Sequence, residues 1–471
     1  MRPPGRPTPV DIGGHTVVAS LVSRGLDRMR ALVGLDEAPA EKVLEGIRRQ
    51  LHECAEGLGG EVSTRNRAAR LAETYLELDD TGRHAFLRII ALEFGPDPAD
   101  VATAHEHYQA AVGTPSQWDA EAGLRRAMRS RRIRILTQFT AIPQGVKFLV
   151  DMRVDLLRFL RDDPELQALD RELQTRLSAW FDIGFLTLER ITWQSPAALL
   201  EKLVEYEAVH EIRSWQDLKN RLDSDRRCYA FFHPRMPLEP LIFVEVALLE
   251  GLAGRVQPLL DETAPVQDAS RANTAIFYSI SNTQVGLRGV SFGNFLLKRV
   301  IEDLQRDFPA LKTFATLSPI PQLRAWAGTH PDEVAAAFDD KDWKHLSAAG
   351  IANARSPLLA KVLDDPSTWQ DETLADLLKA PLTRLAARYL VHARKGGLPF
   401  DPVARFHLGN GARVERLNWL GDTSEKGIGQ SWGMMVNYLY DPDAIESHVE
   451  TFAREGRVAR SSGVGRLAKA G

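Results

Sequence analysis

Cysteine is scarce in this chain, which has only Cys54 and Cys228 among 471 residues. The two lie far apart in the sequence, and neither belongs to a C-x-x-C pair. This pattern argues against a disulfide framework and against a structural zinc site. Unpaired cysteines are typical of proteins in a reducing compartment, and we therefore predict a cytoplasmic protein.

Long apolar runs and an excess of one charge are also missing. No stretch approaches the roughly 20 apolar residues that a membrane helix needs. Acidic residues outnumber basic residues by 63 to 59, which predicts neither a nucleic-acid surface nor an acidic tail. Residues 1–15 contain prolines and arginines but no apolar segment, so we interpret them as a disordered lead-in rather than a secretory signal.

The first part of the chain, residues 16–185, shows helical periodicity throughout. Apolar residues recur at helical spacing over Val17–Leu32 and again over Ala40–Leu51. The strongest helix follows Gly145, and its broad apolar face suits a helix buried between neighbours or between subunits. The cluster His105–His107 lacks the spacing that places two metal ligands on one helical face. We predict an all-helical domain that joins the chain into a homo-oligomer, with dimer and tetramer left open.

Strand patterns begin in the second part, residues 186–471. A helix of about Phe292–Phe308 lies between the third and fourth strands, which predicts a βαβ unit with a right-handed connection. Further helices are expected over about 331–348, 357–364 and 372–394. The five predicted strands are Cys228–Phe232, Leu241–Leu249, Thr274–Ile280, Phe314–Leu317 and Met434–Tyr440.

Two shorter segments near the C-terminal end predict a β-hairpin. Arg405–Leu408 and Val414–Trp419 flank Gly409-Asn410-Gly411, and an Asn-Gly pair between apolar runs is a good hairpin signal. In this interpretation His407 lies on a strand and faces opposite to its apolar neighbours Phe406 and Leu408.

The turn between the third strand and the following helix is rich in glycine. It reads QVGLRGVSFGN over residues 284–294, and such a turn before a helix favours an anion, with Arg288 as a fixed positive charge. The pattern is neither a Walker A loop nor a dinucleotide fingerprint. From these residues alone the signal is weak, and a glycine-rich turn without any phosphate is the favoured interpretation.

The same loop resembles the acetyl-CoA loop of the GNAT acetyltransferases, whose amides bind the coenzyme A diphosphate. Arg288 and Gly293 match that pattern, and Ser291 replaces its middle glycine. The resemblance implies an α+β protein in which a helical domain precedes a GNAT-like domain with a mixed central sheet. It also implies that the substrate-binding residues are Arg288, Gly289, Val290, Ser291, Phe292, Gly293 and Asn294.

Five separated segments resemble malonyl-CoA decarboxylases in their order and spacing. They are Trp193–Pro196, Phe277–Ser281, Leu317–Pro321, Phe406–Gly411 and Val436–Tyr440. This resemblance implies decarboxylation of malonyl-CoA to acetyl-CoA and CO2, with Ser318 and His407 as catalytic residues and Tyr440 as a further site residue.

Plainer interpretations of the two catalytic candidates exist beside the resemblance. Ser318 precedes Pro319, which is typical of a helix N-cap with proline in the first turn. A lone histidine on a strand, the place predicted for His407, is usually structural.

The implied reaction explains why no cofactor is expected. Loss of CO2 leaves negative charge on a thioester enolate, and the thioester is itself the electron sink, so neither a metal nor an organic cofactor is required. In our hypothesis Ser318 hydrogen-bonds the malonyl carboxylate or thioester. His407 supplies a proton directly or through Ser318, and its ordinary pKa of about 6.5 would suit that role.

Three other functions remain open on the sequence. A GNAT-type acyltransferase would share the coenzyme loop but require an acceptor. A non-catalytic acyl-CoA sensor would bind without turnover. A Ser-His-acid hydrolase is disfavoured, because Ser318 does not lie in a G-x-S-x-G elbow.

Overall fold

The computed structural model describes residues 38–57, 60–290, 295–351 and 357–469. The chain divides into two compact units, and each is described by itself. The first comprises the residues up to Ala179 together with Val285–Val290, and the second comprises Trp180–Gln284 and the residues from Ser291 onward. The predicted lead-in and the run Val17–Leu32 lie outside the described residues.

The first unit is helical. Aspartates begin two of its helices: Asp79 accepts a hydrogen bond from Gly82, and Asp97 accepts from Ala99 ahead of a helix with proline in its first turn. Leucine and phenylalanine side chains at helical spacing form the core, among them Leu71, Phe86, Leu149 and Leu173. The helices are α1 Ala38–Glu56, α2 Glu61–Glu77, α3 Asp80–Glu93, α4 Pro98–Ala111, α5 Gln117–Ala127, α6 Arg132–Phe139, α7 Gly145–Phe159 and α8 Gln167–Trp180.

The second unit is built on a mixed sheet, which confirms the predicted fold class of a helical region followed by an α+β region. Its strands are β1 Thr187–Ile191, β2 Arg226–Phe232, β3 Pro240–Leu249, β4 Thr274–Asn282, β5 Thr313–Thr316, β6 Ser318–Pro319, β7 Arg394–Lys395, β8 Leu398–Pro399, β9 Arg413–Asn418 and β10 Met435–Tyr440. The order in the sheet is β1-β2-β3-β4-β5-β10-β6, with β9 also paired to β10, and β7-β8 form a separate pair.

Only one strand pair of the main sheet, β4 with β5, is parallel among the described residues. A parallel pair needs a crossover connection, and a helix supplies it here. The predicted β-helix-β unit is therefore confirmed. The helices of this unit are α9 Ala197–Tyr206, α10 Trp215–Arg221, α11 Gln257–Leu260, α12 Phe295–Asp307, α13 Leu323–Thr329, α14 Pro331–Ala336, α15 Asp340–Ala348, α16 Pro357–Asp364, α17 Glu372–His392, α18 Pro402–Gly409, α19 Glu425–Ser431, α20 Ile445–Glu455 and α21 Ser462–Lys469.

The helix predicted over 331–348 is two helices, α14 and α15. Asp339 separates them because its side chain accepts the backbone N–H of Asp342, whose own carboxylate accepts the N–H of Asp339. This reciprocal cap starts a new helix.

The predicted hairpin around Gly409-Asn410-Gly411 is wrong, because its first arm is the helix α18. Asp401 accepts the backbone N–H groups of Val403 and Ala404, and Pro402 occupies the first turn. Together they favour a helix over a strand. Gly411, with φ of 84°, follows the end of α18, so the Asn-Gly pair ends a helix instead of turning a hairpin.

Candidate active site

Ser318 lies on the short strand β6, directly opposite Val436 of β10. Residues opposite each other in an antiparallel pair share a face, and so do alternate residues along a strand. Ser318 is therefore on the same face of the sheet as Tyr438 and Tyr440. Its interpretation as a helix N-cap is wrong, since the next helix, α13, begins at Leu323 with Gln322 at its N-cap.

His407 is brought to this face by α18 and is buried there. Its Nε2 lies 3.1 Å from Ser318 Oγ, and its Nδ1 lies 2.8 Å from the Tyr440 hydroxyl. The imidazole stacks on the Tyr438 ring, with centroids 4.5 Å apart. Residues from three distant segments, Ser318, His407 and Tyr440, thus form one hydrogen-bonded chain.

Thr316 extends this chain and sets the direction of its hydrogen bonds. Thr316 Oγ1 accepts a hydrogen bond from Ser318 Oγ at 2.8 Å and another from the Tyr438 backbone N–H at 3.1 Å. Because the Ser318 hydrogen is directed at Thr316, we assign the donor hydrogen of the neutral imidazole to Nε2, facing Ser318 Oγ. Nδ1 of His407 is then free to accept from the hydroxyl of Tyr440.

Burial keeps the hydrogen-bonded side chains of His407 and Tyr440 uncharged. It lowers the pKa of His407 to about 3, and it raises the pKa of Tyr440 well above its ordinary value. No charged neighbour contributes to either shift. The expectation that His407 titrates near 6.5 is therefore wrong, and any proton that this residue donates comes from a neutral imidazole.

Asp401, which the sequence interpretation missed, fixes the helix that carries His407. One carboxylate oxygen accepts the N–H groups of Val403 and Ala404, each at 2.9 Å, and the other lies 3.3 Å from the Tyr389 hydroxyl. Burial raises the pKa of Asp401 to about 6, against the opposing effect of these hydrogen bonds. The pair Asp401-Pro402 was the available sequence signal, since it is typical of a helix N-terminus.

The described part of the predicted coenzyme loop, Arg288–Val290, belongs to the first unit. The buried Arg153 donates to the carbonyl oxygens of Gly286 and Arg288 at 2.8 and 2.7 Å, and it is paired with Asp170. Gln174 donates to the Gly289 carbonyl at 2.9 Å.

Gly286 is required for this packing. A Cβ atom there would lie 1.9 Å from the Val150 carbonyl oxygen, so only glycine lets the loop approach α7. The Arg288 side chain itself is exposed. The other predicted loop residues, Ser291, Phe292, Gly293 and Asn294, lie outside the described residues.

The described residues contain no group of three or more His, Cys, Asp and Glu side chains placed to hold a metal ion. Within the same ranges, no helix is both long enough and apolar enough to cross a bilayer. His105–His107 lie on α4 and are exposed.

Two family models match this chain. The model of the malonyl-CoA decarboxylase N-terminal domain matches residues 94–181, and the model of the malonyl-CoA decarboxylase C-terminal domain matches residues 184–471.

Known proteins match over most of the chain. The mitochondrial malonyl-CoA decarboxylase of Anser anser anser is 38% identical over 395 residues, which cover 79% of this chain and 77% of that protein. The Mus musculus protein of the same name is 40% identical over 333 residues, or 68% of each chain. Among solved structures, a malonyl-CoA decarboxylase from Rhodopseudomonas palustris is 42% identical, with a TM-score of 0.80, and the match covers 89% of this chain and 99% of that one.

The low pKa of His407 predicts that its ring stays neutral across the physiological pH range. In protein labelled with 13C at histidine Cε1, the His407 resonance should keep its neutral position between pH 8 and pH 5, because burial penalises the imidazolium. The signal is identified by its loss in His407→Gln. A titration midpoint between pH 6 and pH 7 would contradict the buried, neutral site.

Proposed function

Because the chain belongs to the malonyl-CoA decarboxylase family, we propose that it converts malonyl-CoA to acetyl-CoA and CO2 at the chain formed by Ser318, His407 and Tyr440. Both family models and relatives matched over most of their length support the activity. One observation carries the site: three residues that the family resemblance selected, from segments about 30 to 90 positions apart, are hydrogen-bonded to one another.

The reaction places two demands on the site. When the carbon–carbon bond breaks, its electron pair stays with the thioester fragment as an enolate and CO2 leaves. The former methylene carbon must then take up one proton, which comes ultimately from solvent. The thioester carbonyl accepts the electrons, so the protein has to position donors and deliver the proton, and no cofactor chemistry is needed.

Ser318 supplies the donor nearest to the reacting group in this proposal. Its hydroxyl turns from Thr316 towards the malonyl carboxylate or the thioester oxygen, where negative charge develops. A donor placed at such an oxygen typically contributes about 10²–10³ in rate. The backbone N–H of Tyr438 still satisfies Thr316 Oγ1 after Ser318 turns away, so the exchange leaves no buried acceptor without a partner.

His407 replenishes Ser318 from a neutral ring. Nε2–H donates to Ser318 Oγ, which strengthens the serine as a donor through the cooperative chain. An enolate is a much stronger base than a phenolate, so a neutral donor can protonate it, and a positioned acid typically adds about 10²–10⁴. The Tyr440 hydroxyl donates to Nδ1 and thereby holds both the tautomer and the ring orientation. A proton from solvent restores the chain after each turnover.

The coenzyme would be anchored by the loop at residues 288–294. Arg153 and Gln174 occupy the carbonyl oxygens of Gly286, Arg288 and Gly289, which weakens the negative potential that these oxygens would present to a phosphate. The exposed Arg288 is then available as a fixed positive charge for the diphosphate.

The hydrogen bond at Nδ1 distinguishes this site from that of a Ser-His-acid hydrolase. A triad of that type needs a carboxylate on the second ring nitrogen to stabilise the imidazolium. Here Nδ1 meets the Tyr440 hydroxyl, and burial disfavours the imidazolium. This arrangement favours hydrogen-bond donation over the activation of Ser318 as a nucleophile.

The compartment remains a prediction. The scarcity of cysteine pairs favours the cytoplasm, and the goose and mouse relatives are named mitochondrial. Cys54 and Cys228 are both free and buried.

Substitutions in the hydrogen-bonded chain should lower turnover. We expect Ser318→Ala and His407→Ala each to reduce kcat more than about tenfold, because each removes a positioned donor. Tyr440→Phe should also reduce kcat, since the His407 imidazole would lose the hydrogen bond that fixes its tautomer. Acetyl-CoA formed from malonyl-CoA is measured by mass spectrometry.

Tyr438→Phe is the matched control for these variants. The Tyr438 hydroxyl is buried and has no hydrogen-bond partner among the described residues, so its removal leaves the chain intact and should leave kcat near that of the parent protein. Unchanged kcat in both Ser318→Ala and His407→Ala would reject the assigned roles.

Arg288→Ala tests the coenzyme loop. Loss of a charge that contacts the diphosphate equally in the ground and transition states should raise KM at least about fivefold and leave kcat nearly unchanged. Arg171→Ala removes a different exposed arginine of the first unit and should change neither constant. An effect on kcat alone would contradict an anchoring role for Arg288.

The helices α4 and α5 support the proposal that the first unit joins subunits. α4 buries only Ala111, and α5 buries none of its residues. Val112, Trp118 and Met128 are large, apolar and exposed, with 73% of the Trp118 surface accessible. In this proposal, these side chains contact another copy of the chain.

Trp118→Asp should shift the mass measured by light scattering towards that of a monomer, because a charge would be buried without a partner. Val266→Asp makes the same change at an exposed residue of the second unit, and its mass should equal that of the parent. If Trp118→Asp leaves the mass unchanged, α5 is not part of a subunit contact.

A further inference from the structure

A cavity of about 780 Å³ lies at the C-terminal end of the chain, within the second unit and away from the reacting residues. Its walls come from β9, α20, the segment between α20 and α21, and α21 itself. Arg413 of the wall is opposite Leu439 of β10, whereas Ser318 is opposite Val436. The two places are therefore roughly 10 Å apart along β10, on strands that flank it on different sides.

The charge of this cavity is unlike that of the rest of the chain. Thirteen of the described residues line it, and five of these are cationic while none is acidic. The chain as a whole has slightly more acidic than basic residues, so thirteen residues taken at random would bring fewer than two of each sign. The five cations are Arg413, Arg457, Arg460, Arg466 and Lys469.

Three of these cations have no acidic partner within the described part of the chain. Arg413 is paired with Glu415, and Arg457 lies 3.7 Å from Glu455. Among the residues that the structure describes, no carboxylate lies within 4 Å of Arg460, Arg466 or Lys469. The excess of positive charge also affects Arg394. Burial lowers the pKa of Arg394 most, and the charge of Arg460 lowers it further.

The backbone framework of the cavity is fixed. Val414 of β9 receives a hydrogen bond from Ser461 N–H and donates to the Ala459 carbonyl, which places Arg460 between two main-chain anchors. Ser461 Oγ donates to the Glu415 carbonyl and accepts the N–H of Val464. The cations are therefore presented by an ordered scaffold and not by a loose tail.

Hydroxyl groups complete the wall. Ser447, Thr451 and Ser462 line the cavity beside the arginines. Arginine forks and hydroxyl groups are typical ligands of phosphate oxygens, and the volume lies within the range of small-molecule sites, about 300–1,000 Å³. A single carboxylate would leave most of the positive charge unbalanced, whereas a diphosphate would match the three unpaired cations.

We propose that this cavity binds a small ligand that carries a diphosphate group, at a site separate from the reacting residues. The test measures binding of inorganic pyrophosphate to the full chain by titration calorimetry. Parent protein should bind it saturably, and Arg460→Gln/Arg466→Gln should raise the Kd at least about tenfold, as the loss of two charge-assisted contacts requires.

Two control variants separate this site from other cationic surfaces. Arg454→Gln removes an exposed arginine of α20 that does not line the cavity, and it should leave the Kd unchanged. Arg288→Ala removes the charge of the coenzyme loop and should leave binding at the cavity intact. Binding that is lost in Arg288→Ala and kept in the double variant would overturn the proposal.

Folding and partner effects have separate readouts. Turnover of malonyl-CoA by Arg460→Gln/Arg466→Gln should equal that of the parent, which shows that the variant is folded. Lys469→Gln, a change at one exposed side chain, should still raise the Kd for pyrophosphate at least about threefold. If ADP competes with pyrophosphate for the cavity, the natural ligand is a nucleotide. If ADP does not compete, the ligand is an inorganic diphosphate.

Absence of saturable pyrophosphate binding to the parent chain rejects the site. A changed mass of the double variant in light scattering, without pyrophosphate binding to the parent, would instead assign the cations to a subunit contact, and it too rejects the proposal.

Discussion

The site depends on one constraint: a histidine, a serine and a tyrosine are buried together without any charge to balance. Burial disfavours every ionised form, so the imidazole of His407 and the phenol of Tyr440 both stay neutral. Each hydrogen must then find an acceptor inside the protein. The hydrogens of the Tyr440 hydroxyl, the His407 imidazole and the Ser318 hydroxyl meet this requirement, because each is directed at the next group and the last at Thr316 Oγ1.

Two structural elements of different kinds, a strand and a helix, position these hydrogen-bonded residues. β10 presents Tyr438 and Tyr440 on one face, and the pairing with β6 places Ser318 on the same face. α18 then brings His407 down onto the Tyr438 ring. Asp401 starts that helix from a buried position, so the placement of the imidazole depends on a carboxylate that does not contact it. In the function that we propose, these neutral groups act as the hydrogen-bond donors to the substrate.

Much of the fold follows from sequence patterns, because strands and helices buried on one side carry a clear period. The strands around Leu241–Leu249 and Thr274–Ile280 are predicted on this basis, and so is α12, which connects the second of them to β5. β6 has only two residues, too few for any period, so its pairing with β10 was missed. Asn410-Gly411 predicts a hairpin and therefore a strand at Arg405–Leu408, whereas Asp401-Pro402 begins the helix that carries His407.

The candidate site was named by resemblance, since neither Ser318 nor His407 is distinctive in its local sequence. Thr316 and Asp401 were missed because their roles depend on contacts between segments far apart in the chain. The low pKa of His407 could not be predicted either, since desolvation arises only when α18 packs on β10. Residue identity gave the chemical groups, and tertiary packing decides their charge.

Products formed from malonyl-CoA in heavy water test the central claim most directly. With no acceptor present, purified protein should form acetyl-CoA with a single deuterium in the methyl group, because one solvent-derived proton reaches the carbon after CO2 leaves. Ser318→Ala, which lacks the serine hydroxyl and so interrupts the row of hydrogen bonds, should form this product much more slowly. Recovery of malonate and free coenzyme A, or of unchanged malonyl-CoA with the parent protein, would contradict decarboxylation at this site.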